Sequence, residues 1–118
     1  MTAKITTDLG KITIDDNVIA NIAGISAMEN YGIVGMASKN AADGLIELLK
    51  SDYLTKGIKV STKDDVLVID LHVVLEYGVR ISVVAENIID RVKFSVEKHT
   101  GLTVGKINVN VQGIRVEK

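Results

Sequence analysis

No cysteine, proline or tryptophan occurs among the 118 residues, and the aromatic complement is one phenylalanine and three tyrosines. Each absence excludes something. Without cysteine there are no disulfides, no thiolate nucleophile and no sulfur-ligated zinc, a composition that suits a reducing cytoplasm. With so few aromatic residues, packing must rest on Val, Ile and Leu, whose β-branched members favour strands. Neither charge dominates: 14 basic and 15 acidic residues leave a net charge of −1, so no overall field draws the chain to nucleic acid or anionic lipid. No run approaches the roughly 18 apolar residues of a membrane span, and the opening "MTAKITTDLGKITID" has no apolar core of a secretory signal. There are no prolines, linkers or low-complexity tracts to mark a boundary. The length suits one domain over 1–118, since domains commonly run to about 100–150 residues. A cytoplasmic location is expected.

The hydrophobic fraction of 47% is ample for a core, and its spacing predicts the elements. "GKITID" alternates at Ile12 and Ile14, and Asp15, Asp16 and Asn17 then offer capping oxygens to a helix over "VIANIAGISAMEN". Val18, Ile22 and Ile25 fall on one stripe of that helix, with Ile19 and Ala23 beside it, so this face is expected to meet a sheet. "YGIVGMA" reads as a short buried strand, and "SKNAADGLIELLK" as a helix lying on Leu45, Leu48 and Leu49. "GIKVST" and "VLVIDLHVVLEY" form a hairpin whose long strand turns Leu67, Ile69, Leu71, Val73 and Leu75 inward. From Val79 to about His99 the period becomes helical, with Ile81, Val84, Ala85, Ile88, Ile89, Val92 and Val96 on one side. Gly101 supplies a left-handed cap, Leu102 folds back, and a last strand points Ile107, Val109 and Val111 inward. The fold expected is an α/β (α+β) two-layer sandwich: a mixed sheet with helices on one face, in the order β-α-β-α-β-β-α-β. Two β-α-β passages predict parallel pairing within that sheet.

No catalytic constellation emerges. Asp70, His72 and Glu76 share one strand face, but residues two apart stand roughly 6 to 7 Å from each other, so a metal would need ligands from neighbouring strands. His99 falls at a helix C-terminus, where a cation is favoured. No G-x-S-x-G elbow is present. No cofactor, metal or catalytic residue is therefore expected. "GIVG", Gly32 to Gly35, fits the spacing of the loop with which KH domains clamp RNA, and an RNA-binding module is the alternative reading. Its Ile33 and Val34, however, ask for burial where that loop wants exposed basic residues.

What remains is surface. On the long helix Val83 and Phe94 fall opposite the core stripe, flanking Asn87 and Asp90, where water is expected. The outer sheet face offers His72, Asn108, Asn110 and Gln112 for a hydrogen-bonded interface. Two contact faces and no chemistry describe an interaction module.

The order of short motifs is familiar. Tyr77-Gly78 ends a hydrophobic strand, a long amphipathic helix follows, Glu97 with Thr100-Gly101-Leu102 forms an E-x-x-T-G-L turn, and "INVNVQGI" from Ile107 to Ile114 closes the chain. With "GKITIDDNVIANIAGISAMENYGIVGMA" in the first half, the chain resembles the alkaline shock (envelope stress response) protein family of Gram-positive bacteria, from about Gly10 to Ile114. That resemblance implies a cytoplasmic, non-enzymatic protein linked to envelope stress or homeostasis. It further implies a peripheral membrane association through a protein partner, and the two contact faces suit either a small membrane-anchored protein or a second copy of the chain. The family offers no catalytic residue to carry over, while the balanced charge and the lack of a long apolar run lead to no nucleic acid and no direct membrane span being expected.

Overall fold

The computed structural model describes residues 2–37, 57–63 and 66–116. Two strands begin it, β1 (Thr2–Thr7) and β2 (Gly10–Asp15), paired antiparallel as a separate two-stranded sheet. Sequence patterning misses β1, because its single large apolar residue, Ile5, does not alternate with others; its partner across the ribbon is Ile12. Thr7 closes the turn: its hydroxyl donates to the Gly10 carbonyl at 3.1 Å and accepts from the Leu9 amide at 3.3 Å.

Helix α1 (Asp16–Met28) starts as its sequence directs, with the Asp15 carboxylate accepting from the Asn17 amide at 3.0 Å. Its buried side differs from the expected one. Ile19, Ala20, Ala23, Gly24, Ser26 and Ala27 face inward, while Val18 and Ile25 are 48% and 60% exposed. Small residues win because α1 packs against a second helix as well as the sheet, and close backbone approach favours Ala and Gly over branched side chains. Gly24, a mild cost to helix propensity, is thereby offset by packing.

The four-stranded sheet is centred on β5 (Val66–Glu76). Strand β4 (Ile58–Lys63) pairs antiparallel with Val66–Leu71, and β3 (Ile33–Met36) pairs antiparallel with the other end, at Val73–Leu75. These two short strands therefore share one edge of β5, end to end. Along its opposite edge runs β6 (Val104–Arg115), in parallel. The sheet is mixed as expected, but among the described residues only the β5-α2-β6 passage gives a parallel pair; β2 belongs to the other sheet, so β2-α1-β3 does not. The helix expected over "SKNAADGLIELLK" lies outside the described residues.

Helix α2 (Ile81–Thr100) buries Val84, Ile88, Val92 and Val96, a stripe narrower than expected, from which Ile81 is excluded. It meets Ile69, Leu71, Val73 and Leu75 of β5 in one core. Both helices cover the same sheet face. The helix ends as its sequence requires: Gly101 takes φ 75° and donates to Glu97 O at 2.9 Å. The Thr100 hydroxyl donates to Val96 O at 2.6 Å and accepts from Leu102 N at 3.1 Å. The Glu97 carboxylate accepts from Val104 N at 2.9 Å. The E-x-x-T-G-L motif is thus a joint that aims β6 from the end of α2. No helix among the described residues is long and apolar enough to cross a membrane.

Candidate contact surfaces

The sheet face away from the helices is built from the even-numbered residues of β5 and their neighbours. Asn108 Nδ2 donates to Asp70 Oδ1 at 2.7 Å, and Asn110 Nδ2 donates to Leu71 O at 3.2 Å. His72 Nδ1 lies 3.2 Å from Gly57 O; since a carbonyl only accepts, Nδ1 carries the proton. These candidate side chains already spend hydrogen bonds within the chain. Gln112 sits half-buried where the β5–β6 register slips between Val73 and Val74. Asp70, His72 and Glu76 do not converge, and among the described residues no group of three or more His, Asp or Glu could hold a metal ion.

The "GIVG" segment is not a loop. Ile33–Met36 is strand β3, and the Gly32 carbonyl accepts from the Glu76 amide at 2.8 Å. Gly32 has φ +90°, and a Cβ there would stand 3.1 Å from both Val79 Cγ1 and Val84 Cγ2. Its glycine is thus explained by a turn and a close approach, and the exposed clamp that an RNA-binding reading needs does not exist.

On the helical side the predicted group holds together. Val83, Asn87, Asp90 and Phe94 run along the outer face of α2, and they line two adjoining hollows. One, of about 390 Å³, is lined by Tyr31, Tyr77, Val79, Val83 and Asn87 among others. The other, of about 380 Å³, lies between Asn30 and Phe94 and shares Asn87 with the first. The two hollows meet at Asn87, and the shallow strip they form along α2 is called the groove below. Arg91 Nε stands 3.7 Å from Glu29 Oε1 across the helix pair, and Lys98 Nζ lies 5.6 Å from the Phe94 ring centre.

Tyr31 and Tyr77 are not among the contact residues expected from the sequence, where Tyr77 enters only through the Tyr77-Gly78 motif. Each precedes a glycine of positive φ, Gly32 (90°) and Gly78 (96°), and each sits on a turn leading into the next element. Tyr77 is held by its amide, which donates to Arg115 O at 2.7 Å. Tyr31, Tyr77 and Phe94 are 84%, 60% and 63% exposed. In a chain with only four aromatic residues, every one that is described lies on this groove rather than in the core. The repeated Tyr-Gly pair is the available signal.

A two-layer α/β domain with an aromatic groove, and no assembled catalytic group among its described residues, is a class defined by surface. Residues 4–116 match the ASP23 family, described as having a cell envelope-related function, and the chain belongs to that family. It is 42% identical over 117 residues to the uncharacterized protein YloU of Bacillus subtilis, covering 98% of each chain. It is 46% identical to the uncharacterized protein Spy1614 of Streptococcus pyogenes, covering 98% of this chain and 97% of that one. A more distant relative, 29% identical, is the stress response regulator gls24 homolog of Streptococcus pyogenes, where the match covers 92% of this chain and 61% of the relative. The alkaline shock resemblance is borne out.

Proposed function

We propose that this protein is a non-enzymatic interaction protein of the cell envelope, working from the cytoplasmic side and holding a protein partner, such as a small membrane-anchored protein, in the groove along α2. The carrying observation is the placement of Tyr31, Tyr77 and Phe94 in water beside Val83. Large aromatic side chains lose few rotamers on binding and dominate the energetics of protein contacts, whereas leaving them solvated serves no purpose in folding. The internally bonded amides of the sheet face make it the weaker candidate for the same partner.

The test is site-specific photo-cross-linking from Tyr77 in living cells, followed by membrane fractionation. The expected result is one discrete adduct in the membrane fraction, lost or reduced at least tenfold when Tyr31 and Phe94 are changed to Ala. Absence of any adduct, or an adduct indifferent to those changes, would overturn this reading.

A further inference from the structure

The strongest unassigned feature is the outer edge of β6. Among the described residues this strand of 12 residues pairs with β5 alone, and the sequence has no proline to block it. The direction of its free groups follows from β5. The amides of Leu67 and Tyr77 donate toward β6, to Thr103 O and Arg115 O, whereas the Glu76 amide and the His72 carbonyl bond toward β3. Odd-numbered residues of β5 therefore face β6. In a parallel ladder such a residue bonds to the two neighbours of its partner. Ile69, Leu71 and Val73 are opposite Ile107, Val109 and Val111, so the even-numbered residues of β6 return those bonds. The N–H and C=O groups of Ile107, Val109 and Val111 point out from the open edge. Register slips occur before Lys106 and after Val111, and the stretch between them is regular.

Burial also falls off along this strand. On β5, Ile69, Leu71 and Val73 are fully buried, yet Val109 and Val111 beside them are only half-buried, and Ile114 is exposed.

We propose that this edge pairs with the same edge of a second copy, antiparallel about a two-fold axis at Val109. That inference rests on a different surface from the groove and stands independently of it. With Val109 opposite Val109, Ile107 of each copy faces Val111 of the other, so all three outward-facing residues become bonded pairs and no edge group is wasted. The charges agree with this register. Lys106 meets Gln112 and Arg115 meets Thr103, so no like charges are opposed, while Asn108 meets Asn110 on the polar face. A sheet three strands wide becomes six wide, its Val109 and Val111 rows covered by the paired helical layers. The ladder is short against the roughly 800 Å² per partner of a stable complex, so the dimer is reversible and forms with rising concentration.

Analytical ultracentrifugation across a wide concentration range, with amide hydrogen exchange followed by NMR, tests this. Expected is a monomer–dimer equilibrium in which the amides of Ile107, Val109 and Val111 gain protection with concentration, while those of Asn108 and Asn110 are slow throughout. Val109→Pro removes an outward donor but no bond to β5, so it should leave circular dichroism unchanged and abolish the dimer. Should proline unfold the chain, Asn108→Lys with Asn110→Lys sets like charges opposite each other twice at exposed positions, weakening association about tenfold. A chain monomeric at all concentrations, or a dimer whose three outward amides stay unprotected or which ignores these substitutions, would overturn the proposal.

Discussion

Gly32 and Gly101 both have positive φ, but their surroundings differ, and the difference is measurable. At Gly101 an added Cβ meets only Ile5 Cδ1, at 3.8 Å, so Gly101→Ala should cost only the left-handed strain, about 1 kcal/mol. At Gly32 the same methyl crowds Val79 and Val84 at 3.1 Å, and strain plus overpacking should bring Gly32→Ala to about 2–3 kcal/mol. Denaturant unfolding of the two variants checks the ranking. At this scale the sequence is most readable where a local rule has a local cause. Gly101 is legible because a helix pattern stops there, and its αL cap is what stops it. Gly32 reads misleadingly as half of a G-x-x-G spacing, because the valines that demand a glycine are Val79 and Val84, far along the chain.

Helix α1 shows why element existence is easier to read than element orientation. Its start, period and length are legible from Asp15 onward, but its buried stripe is rotated from the expected one: Ile19 and Ala23 are buried and Ile22 half-buried, whereas Val18 and Ile25 are exposed. Periodicity weighs residues by hydrophobicity, whereas a helix squeezed against both a sheet and another helix selects for small volume. The consequence runs against intuition. Val18→Gln and Ile25→Gln should change stability by no more than about 0.5 kcal/mol, as for other exposed positions. Ala23→Leu, more hydrophobic but overpacked at a site with no exposure, should cost about 1–3 kcal/mol. Thermal melts that reversed this order would show the larger stripe to be the packed one. Strand β1 escapes detection for a related reason: a ribbon with β2 almost wholly exposed buries too little to impose an alternating pattern. Of the surface candidates, Val83 and Phe94 are visible because they break a helical pattern, while Tyr31 and Tyr77 sit in turns, where there is no pattern to break.

At the scale of the whole molecule, the groove and the β6 edge face different directions, and their combination has a consequence neither has alone. A two-fold axis at Val109 runs perpendicular to the joined sheet, so both helical layers, and both Tyr31–Tyr77–Phe94 grooves, face the same side. Such a dimer suits partners displayed side by side on a surface, because the second groove binds at a high effective concentration once the first is engaged. A single copy has no such advantage. With the partner cross-linked at Tyr77 immobilised densely, the wild-type chain should dissociate at least tenfold more slowly than Val109→Pro. On a sparsely coated surface the two should release at the same rate, since each groove then acts singly. Tyr77→Ala should weaken binding on both surfaces while leaving self-association within about twofold, as expected for sites that share no partner atoms. Equal dissociation of wild type and Val109→Pro on the dense surface would mean that the grooves do not face one way, and the two-fold arrangement would have to be abandoned even if each contact were separately real.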